Sequence, residues 1–258
     1  MMARPRERGP WFWRGAIGVM MFSVIGLFSV AAFNSAPALD EESACRMDRK
    51  DPAHTIILID QSDPFSENDL AWVDELIDNE ARTLPRFGRL SVILPNSATP
   101  FDPTTLYTQC SPGSVEDANP ILQNPRMIED TWREQFYLPL TNTVGETLNT
   151  TSQPSSPLFE ALYAVGDRAD FQSNRQNRRL VIVSDLMQHS DGFSFYRAGA
   201  DLAAYSDASL SQQVPQMDGV NVVARIVPRQ QYDLPIGEVK AFWRAYFDKT
   251  GASFGSTN

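Results

Sequence analysis

Histidine is scarce in this 258-residue chain, with only His54 and His189, and cysteine is limited to Cys45 and Cys110. Two histidines without a His-x-x-x-His spacing exclude the common zinc-enzyme ligand sets. The cysteines lack the Cys-x-x-Cys spacing of a dithiol redox site. No glycine-rich phosphate loop is present, so the familiar nucleotide-binding signatures are absent. Lysine is rare beside arginine, and the net charge is −10. Residues 1–14 carry +3, from Arg4, Arg6, Arg8 and Arg14 against Glu7, which leaves about −13 on the remainder. An acidic surface of that size argues against nucleic acid or an anionic membrane face as partner.

The chain has one long apolar run, Gly15 to Phe33, without a charge. At 1.5 Å per residue its 19 residues just match a hydrocarbon core of ~30 Å. Arginines precede it, and Asp40, Glu41 and Glu42 follow. The positive-inside rule then predicts a basic cytoplasmic tail over 1–14, a transmembrane signal anchor over 15–33, a polar linker over 34–53 and an exported domain over 54–258. The corresponding location is the inner membrane of a bacterium, with a single pass and a periplasmic domain. Cleavage at Ala36-Pro37-Ala38 is the alternative, and the run is longer than an ordinary signal-peptide core. In an oxidising compartment the two cysteines are most simply a disulfide, Cys45–Cys110.

Beyond the linker, short apolar runs alternate with amphipathic segments. Strands are expected at 55–59, 89–94, 105–109, 180–184 and 220–227. Helices are expected at 67–84, 128–148 with a break at Pro139, 158–168, 197–205 and 238–249. Ser66 and Asp69 have the spacing of a capping box. The alternation predicts an α/β fold: a doubly wound, mostly parallel sheet flanked by helices.

Two of the apolar strands stop at acid and hydroxyl groups. Thr55 to Ile59 runs into Asp60-Gln61-Ser62-Asp63, and Leu180 to Val183 runs into Ser184-Asp185. Adjacent parallel strands with such ends present hard oxygen ligands, suited to Mg²⁺, Mn²⁺ or Ca²⁺, from one edge of the sheet. A third loop, Ser155-Ser156-Pro157-Leu158, precedes a helix. The simpler alternative is that these groups cap nearby amides.

These three loops, in this order, resemble the von Willebrand factor type A family and its metal-ion-dependent adhesion site. The family motif reads Asp-x-Ser-x-Ser after the first strand, Thr in a middle loop and Asp after the fourth strand. Asp60, Ser62 and Asp185 match, Ser156 replaces Thr, Pro64 replaces the last Ser, and Leu186 replaces the Gly that usually follows the last Asp. The resemblance implies an ion held by Asp60, Ser62, Ser156 and Asp185, with Asp63 standing in for the lost hydroxyl. It also implies a protein partner that completes the ion's coordination with an acidic side chain, within an envelope assembly. His189, Phe193 and Tyr196, in the loop after Asp185, are the candidate partner-binding residues.

No catalytic residues are expected. His189-Ser190-Asp191 has the residue types of a triad, but neighbours in a row cannot form the nucleophile–base–orienter chain. The competing readings are an exported metal-dependent hydrolase using the same carboxylates, and a scaffold with a degenerate ion site.

Overall fold

The computed structural model describes residues 10–33, 37–48, 50–118, 123–148, 153–173, 177–227 and 234–257. Of the expected features, most of the basic tail, the first residues of the linker and part of the loop before Ser155 lie outside the described residues. The chain divides into two units, Met1–Ala38 and Leu39–Asn258.

The first unit contains helix α1, Pro10–Phe33. The expected membrane anchor is not supported, because among the described residues no helix is long and apolar enough to cross a membrane.

The second unit is built on a six-stranded sheet. Its elements follow in the order β1 (His54–Ile59), α2 (Glu67–Thr83), β2 (Arg89–Leu94), β3 (Thr104–Cys110), α3 (Pro125–Trp132), α4 (Leu138–Leu148), α5 (Leu158–Asp167), α6 (Ala169–Ser173), β4 (Arg178–Ser184), α7 (Phe195–Ala198), α8 (Leu202–Asp207), β5 (Asn221–Ile226), α9 (Ile236–Lys249) and β6 (Ser253–Thr257). The strand order is β3-β2-β1-β4-β5-β6. Only the β2–β3 pairing is antiparallel; the others are parallel.

All six residues of β1 are buried, which explains its unbroken apolar run. A parallel strand covered on both faces has no solvent side and so no reason to alternate. Ile56 and Leu58 enter one core with Phe159 of α5 and Phe242 and Trp243 of α9. Ile57 and Ile59 enter the other with Val73 and Ile77 of α2 and with Trp132 and Phe136. Helices therefore cover both faces.

Helix α2 starts as its sequence predicts. The Ser66 hydroxyl accepts from the Asp69 amide, and the Asp69 carboxylate accepts from the Ser66 amide. Such a cap contributes about 1 kcal/mol. Cys45 and Cys110 form a disulfide across 65 residues of sequence, closing a loop that stabilises by about 4 kcal/mol in the chain-entropy account.

Several elements depart from expectation. The helix expected to break at Pro139 instead continues through a wide π turn, Arg133–Tyr137, placed just ahead of that proline. Proline has no N–H to donate and its ring crowds the carbonyl four residues back, so the helix must loosen there. The helix expected over 197–205 is two short helices, parted at Gly199 with φ +71°. Strand β6 has no apolar signature because it forms an edge, with its residues half-buried or exposed.

Candidate functional site

The sheet's order reverses between β1 and β4, since β1 leads outward to β2 and β4 leads outward to β5. In open α/β sheets the crevice at such a switch point, beyond the carboxyl ends of the strands, is where ligands bind. Asp60 follows the last residue of β1, and Asp185 follows the last residue of β4. The Asp60 amide still donates to Val183 O at 2.9 Å, so the ladder holds the two carboxylates at the same edge.

Asp60 is the hub. Its Oδ2 accepts from Ser156 Oγ at 2.6 Å and from Ser184 Oγ at 2.8 Å. Its Oδ1 accepts from the Ser62 amide at 3.1 Å. Among the described residues no lysine or arginine forms a salt bridge with it. Burial, and then the neighbouring charge of Asp185, push the Asp60 carboxyl up to about 6, against the pull of its three hydrogen-bond donors. Asp185 is also buried, and its Oδ1 accepts from the Met187 amide at 2.8 Å.

The third loop is tied down from below. Gln153 donates to Pro95 O at 2.6 Å and accepts from the Ser97 amide at 2.6 Å, while the Ser97 hydroxyl donates to Ser155 O at 2.9 Å. Ser156 pairs by both backbone groups with His189, at 2.9 and 2.8 Å. The ends of β1 and β4 and the third loop thus meet at one carboxylate, and the end of β2 holds that loop in place.

A recess of about 10 Å³ lies here, lined by Asp60, Ser62, Asp63, Phe65, Ser184, Asp185 and Val227. It has room for about one water-sized particle. Of the expected ligands, Asp60, Ser62, Asp63 and Asp185 line it. Ser156 does not; it stands behind Asp60 and orients its carboxylate. Ser184 lines it as well: its sequence position marks it, with Asp185, as a strand-end oxygen group, but not as one of the ion's expected ligands. Its hydroxyl donates to Asp60 while accepting from the Leu186 amide at 2.8 Å. The donor set is entirely hard oxygen, and a hydroxyl that donates to a carboxylate keeps lone pairs for a cation. These residues fit a small divalent ion.

Leu186 is fully buried yet has φ +66°, a left-handed conformation that costs a side-chain-bearing residue roughly 1–2 kcal/mol. The indole N–H of Trp243 holds the turn by donating to Leu186 O at 2.9 Å. The chain thus takes, with a leucine, the turn that a glycine adopts without strain.

The candidate partner-binding residues separate. Tyr196 is 53% exposed, and its ring meets that of His189 edge-on at 5.3 Å. Phe193 is a correction: it is buried against Phe159, Phe195 and Tyr205, so its ring is part of the core.

One further group has the residue types of a metal site. Cys45, Cys110 and Asp51 lie close together and are buried. Both sulfurs are joined in the disulfide, and a disulfide sulfur lacks the thiolate that binds a metal. The Asp51 carboxylate is held by Arg89 at 3.0 Å. The oxidised cluster is a structural staple.

No protein-family model and no curated protein matches this chain. The resemblance to the von Willebrand factor type A family is therefore withdrawn, because its partial motif, with Pro64, Ser156 and Leu186 at divergent positions, is unsupported by any family match. What stands is a mixed α/β unit with a six-stranded, mostly parallel sheet flanked by helices, whose carboxyl edge gathers two buried carboxylates and two serine hydroxyls around a one-particle recess.

Proposed function

We propose that this chain binds a divalent cation at the carboxyl edge of its sheet and uses that edge to bind another protein. The observation that carries the reading is the pairing of Asp60 and Asp185 beside the recess at the switch point between β1 and β4. Two like charges at short range disfavour one another's ionisation, and a cation between them removes that penalty. Asp60, Asp185, Ser62 and Ser184 would hold the ion, with Asp63 at the rim and Ser156 positioning Asp60. When bound, Mg²⁺, Mn²⁺ or Ca²⁺ would supply a fixed positive charge for an acidic side chain of the partner.

The recess is too small for a substrate beside the carboxylates, which favours binding over hydrolysis. Tyr196, exposed on the loop that follows Asp185, offers the aromatic anchor that interfaces favour. The disulfide points to work in an oxidising compartment.

Calorimetric titration of the full chain with each ion tests the reading. Binding that Asp60→Asn weakens at least tenfold, together with partner capture that a chelator abolishes, is the expected result. An ion affinity that Asp60→Asn leaves unchanged would sink it.

A further inference from the structure

On the other side of the Ser155–Ser156 loop lies a second and much larger cavity, of about 530 Å³. That volume is within the range of roughly 300–1,000 Å³ typical of small-molecule sites. Phe101 and Leu210 provide apolar surface, and Ser190, His189, Asp191 and Glu160 provide polar groups. The lining holds two carboxylates and no lysine or arginine.

Glu160, in the first turn of α5, decides the chemistry. The residue is only 3% exposed. Its Oε2 accepts from Gln188 Nε2 at 3.2 Å. Gln188 is itself fully buried and fixed, since its Oε1 accepts from the Phe159 amide at 3.0 Å. No hydrogen bond from a described residue reaches Glu160 Oε1, and no salt bridge reaches either oxygen. Buried acids in folded proteins are ordinarily paired, because an isolated ionised group is expensive to desolvate. Here the second oxygen faces Gly192, where an added Cβ would stand 3.6 Å from it. A glycine at that point leaves the oxygen reachable from the cavity.

We propose that this cavity binds a small organic cation, with an ammonium or guanidinium head on Glu160 Oε1 and a short aliphatic stem against Phe101 and Leu210. The head supplies the donors and positive charge that the buried carboxylate lacks, and charge-assisted hydrogen bonds of this kind are the strong ones. Asp191, at the more exposed side of the cavity, suits a second positive group. A diamine or guanidino-amine therefore fits better than a simple amine. The site is distinct from the ion recess, and it does not depend on an ion being bound there.

The test is calorimetric titration of the full chain, with EDTA present, using agmatine and an uncharged urea of the same length. Agmatine is expected to bind and the urea to bind at least tenfold more weakly. Glu160→Gln, which keeps the side chain's shape, is expected to weaken agmatine at least tenfold. Gly192→Leu keeps the carboxylate and fills the space before it, and the same loss is expected. It decides the matter should Glu160→Gln fail to fold, as judged by far-UV circular dichroism. Equal binding of agmatine and the urea, or affinity unchanged in the folded variants, overturns the proposal. Tighter binding of a blocked arginine peptide than of agmatine would assign the cavity to a partner's side chain, and would also overturn it.

Discussion

The two ends of the sheet treat their acids in opposite ways. At the amino end, Asp51 pairs with Arg89 at 3.0 Å, and Asp170 pairs with Arg168 at 2.9 Å and Arg89 at 3.5 Å. Glu80 is held by Arg179 through two bonds of 2.8 Å. His54 is buried there too, between Ser91 Oγ at 3.1 Å and Asp170 O at 3.4 Å. At the carboxyl end Asp60 is buried among hydroxyls and amides, and Glu160 takes one amide hydrogen bond. Neither makes a salt bridge with a described residue. One end is neutralised from within, while under the two proposals above the other is neutralised from outside. Sites that serve ligands commonly give up stability in the free protein.

Mutations at the two ends should therefore have opposite signs. The largest effect is expected from Arg89→Met, which removes the ion-pair partner of buried Asp51 and leaves Asp170 with one partner fewer. Removing one member of a buried pair destabilises by about 3–5 kcal/mol, read from the urea midpoint. A midpoint within error of the parent would dissolve the contrast.

The pH dependence separates the ends next. Burial lowers His54 to about 4 from its usual 6.5, in spite of the opposing charge of Asp170. A base whose folded value is depressed stays neutral in the fold while the unfolded chain takes up a proton. His54 therefore contributes stability above pH 6.5 that is lost as pH falls toward 4, about 3 kcal/mol in all. Asp60 is raised to about 6 from 3.8, so the fold holds its proton more tightly. Its contribution runs the other way, with stability present near pH 4 and about 3 kcal/mol lost as pH rises to 6. In the parent these two slopes nearly cancel. Relative to it, Asp60→Asn should lose stability on acidification from pH 6.5 to 4, and His54→Gln should lose stability as pH rises from 4 to 6. Parallel profiles in the two variants would refute the assignment.

At pH 7.5 a smaller and inverse effect is expected. Asp60→Asn removes an ionisation that the fold disfavours, at the loss of one amide hydrogen bond, and should stabilise by about 1–2 kcal/mol. Thermal unfolding in EDTA reads this, and added Mg²⁺ should stabilise only the parent. Last, Arg46→Ala breaks the exposed pair with Asp48 and should leave the midpoint unmoved, since exposed ion pairs contribute little.

Much of the scaffold was legible in the residues, for identifiable reasons. The run Thr55 to Ile59 marks a strand buried on both faces, and Ser66 with Asp69 marks a helix start, because both signals act over a few neighbouring residues. Asp60 and Asp185 were legible as strand-end acids for the same reason. Phe193 was misplaced because an aromatic in a polar loop reads the same whether it faces solvent or folds beneath the loop onto Phe159. The apolar segment 15–33 was read as a membrane anchor on length and charge alone, and the described helix does not support that. Glu160 gave no signal, since a glutamate early in a helix is ordinarily a solvated residue.

The sequence by itself determined the alternation of strands and helices, the helix starts and the chemical character of the strand ends. Each follows from local periodicity, capping and the residue types at the strand ends. Only the tertiary structure decided that β1 and β4 are neighbours at the switch point, that Ser184 rather than Ser156 lines the recess, and that Arg89 is shared between Asp51 and Asp170. Those outcomes depend on which distant segments share an edge and how much water remains between them, and burial of that kind has no local signature.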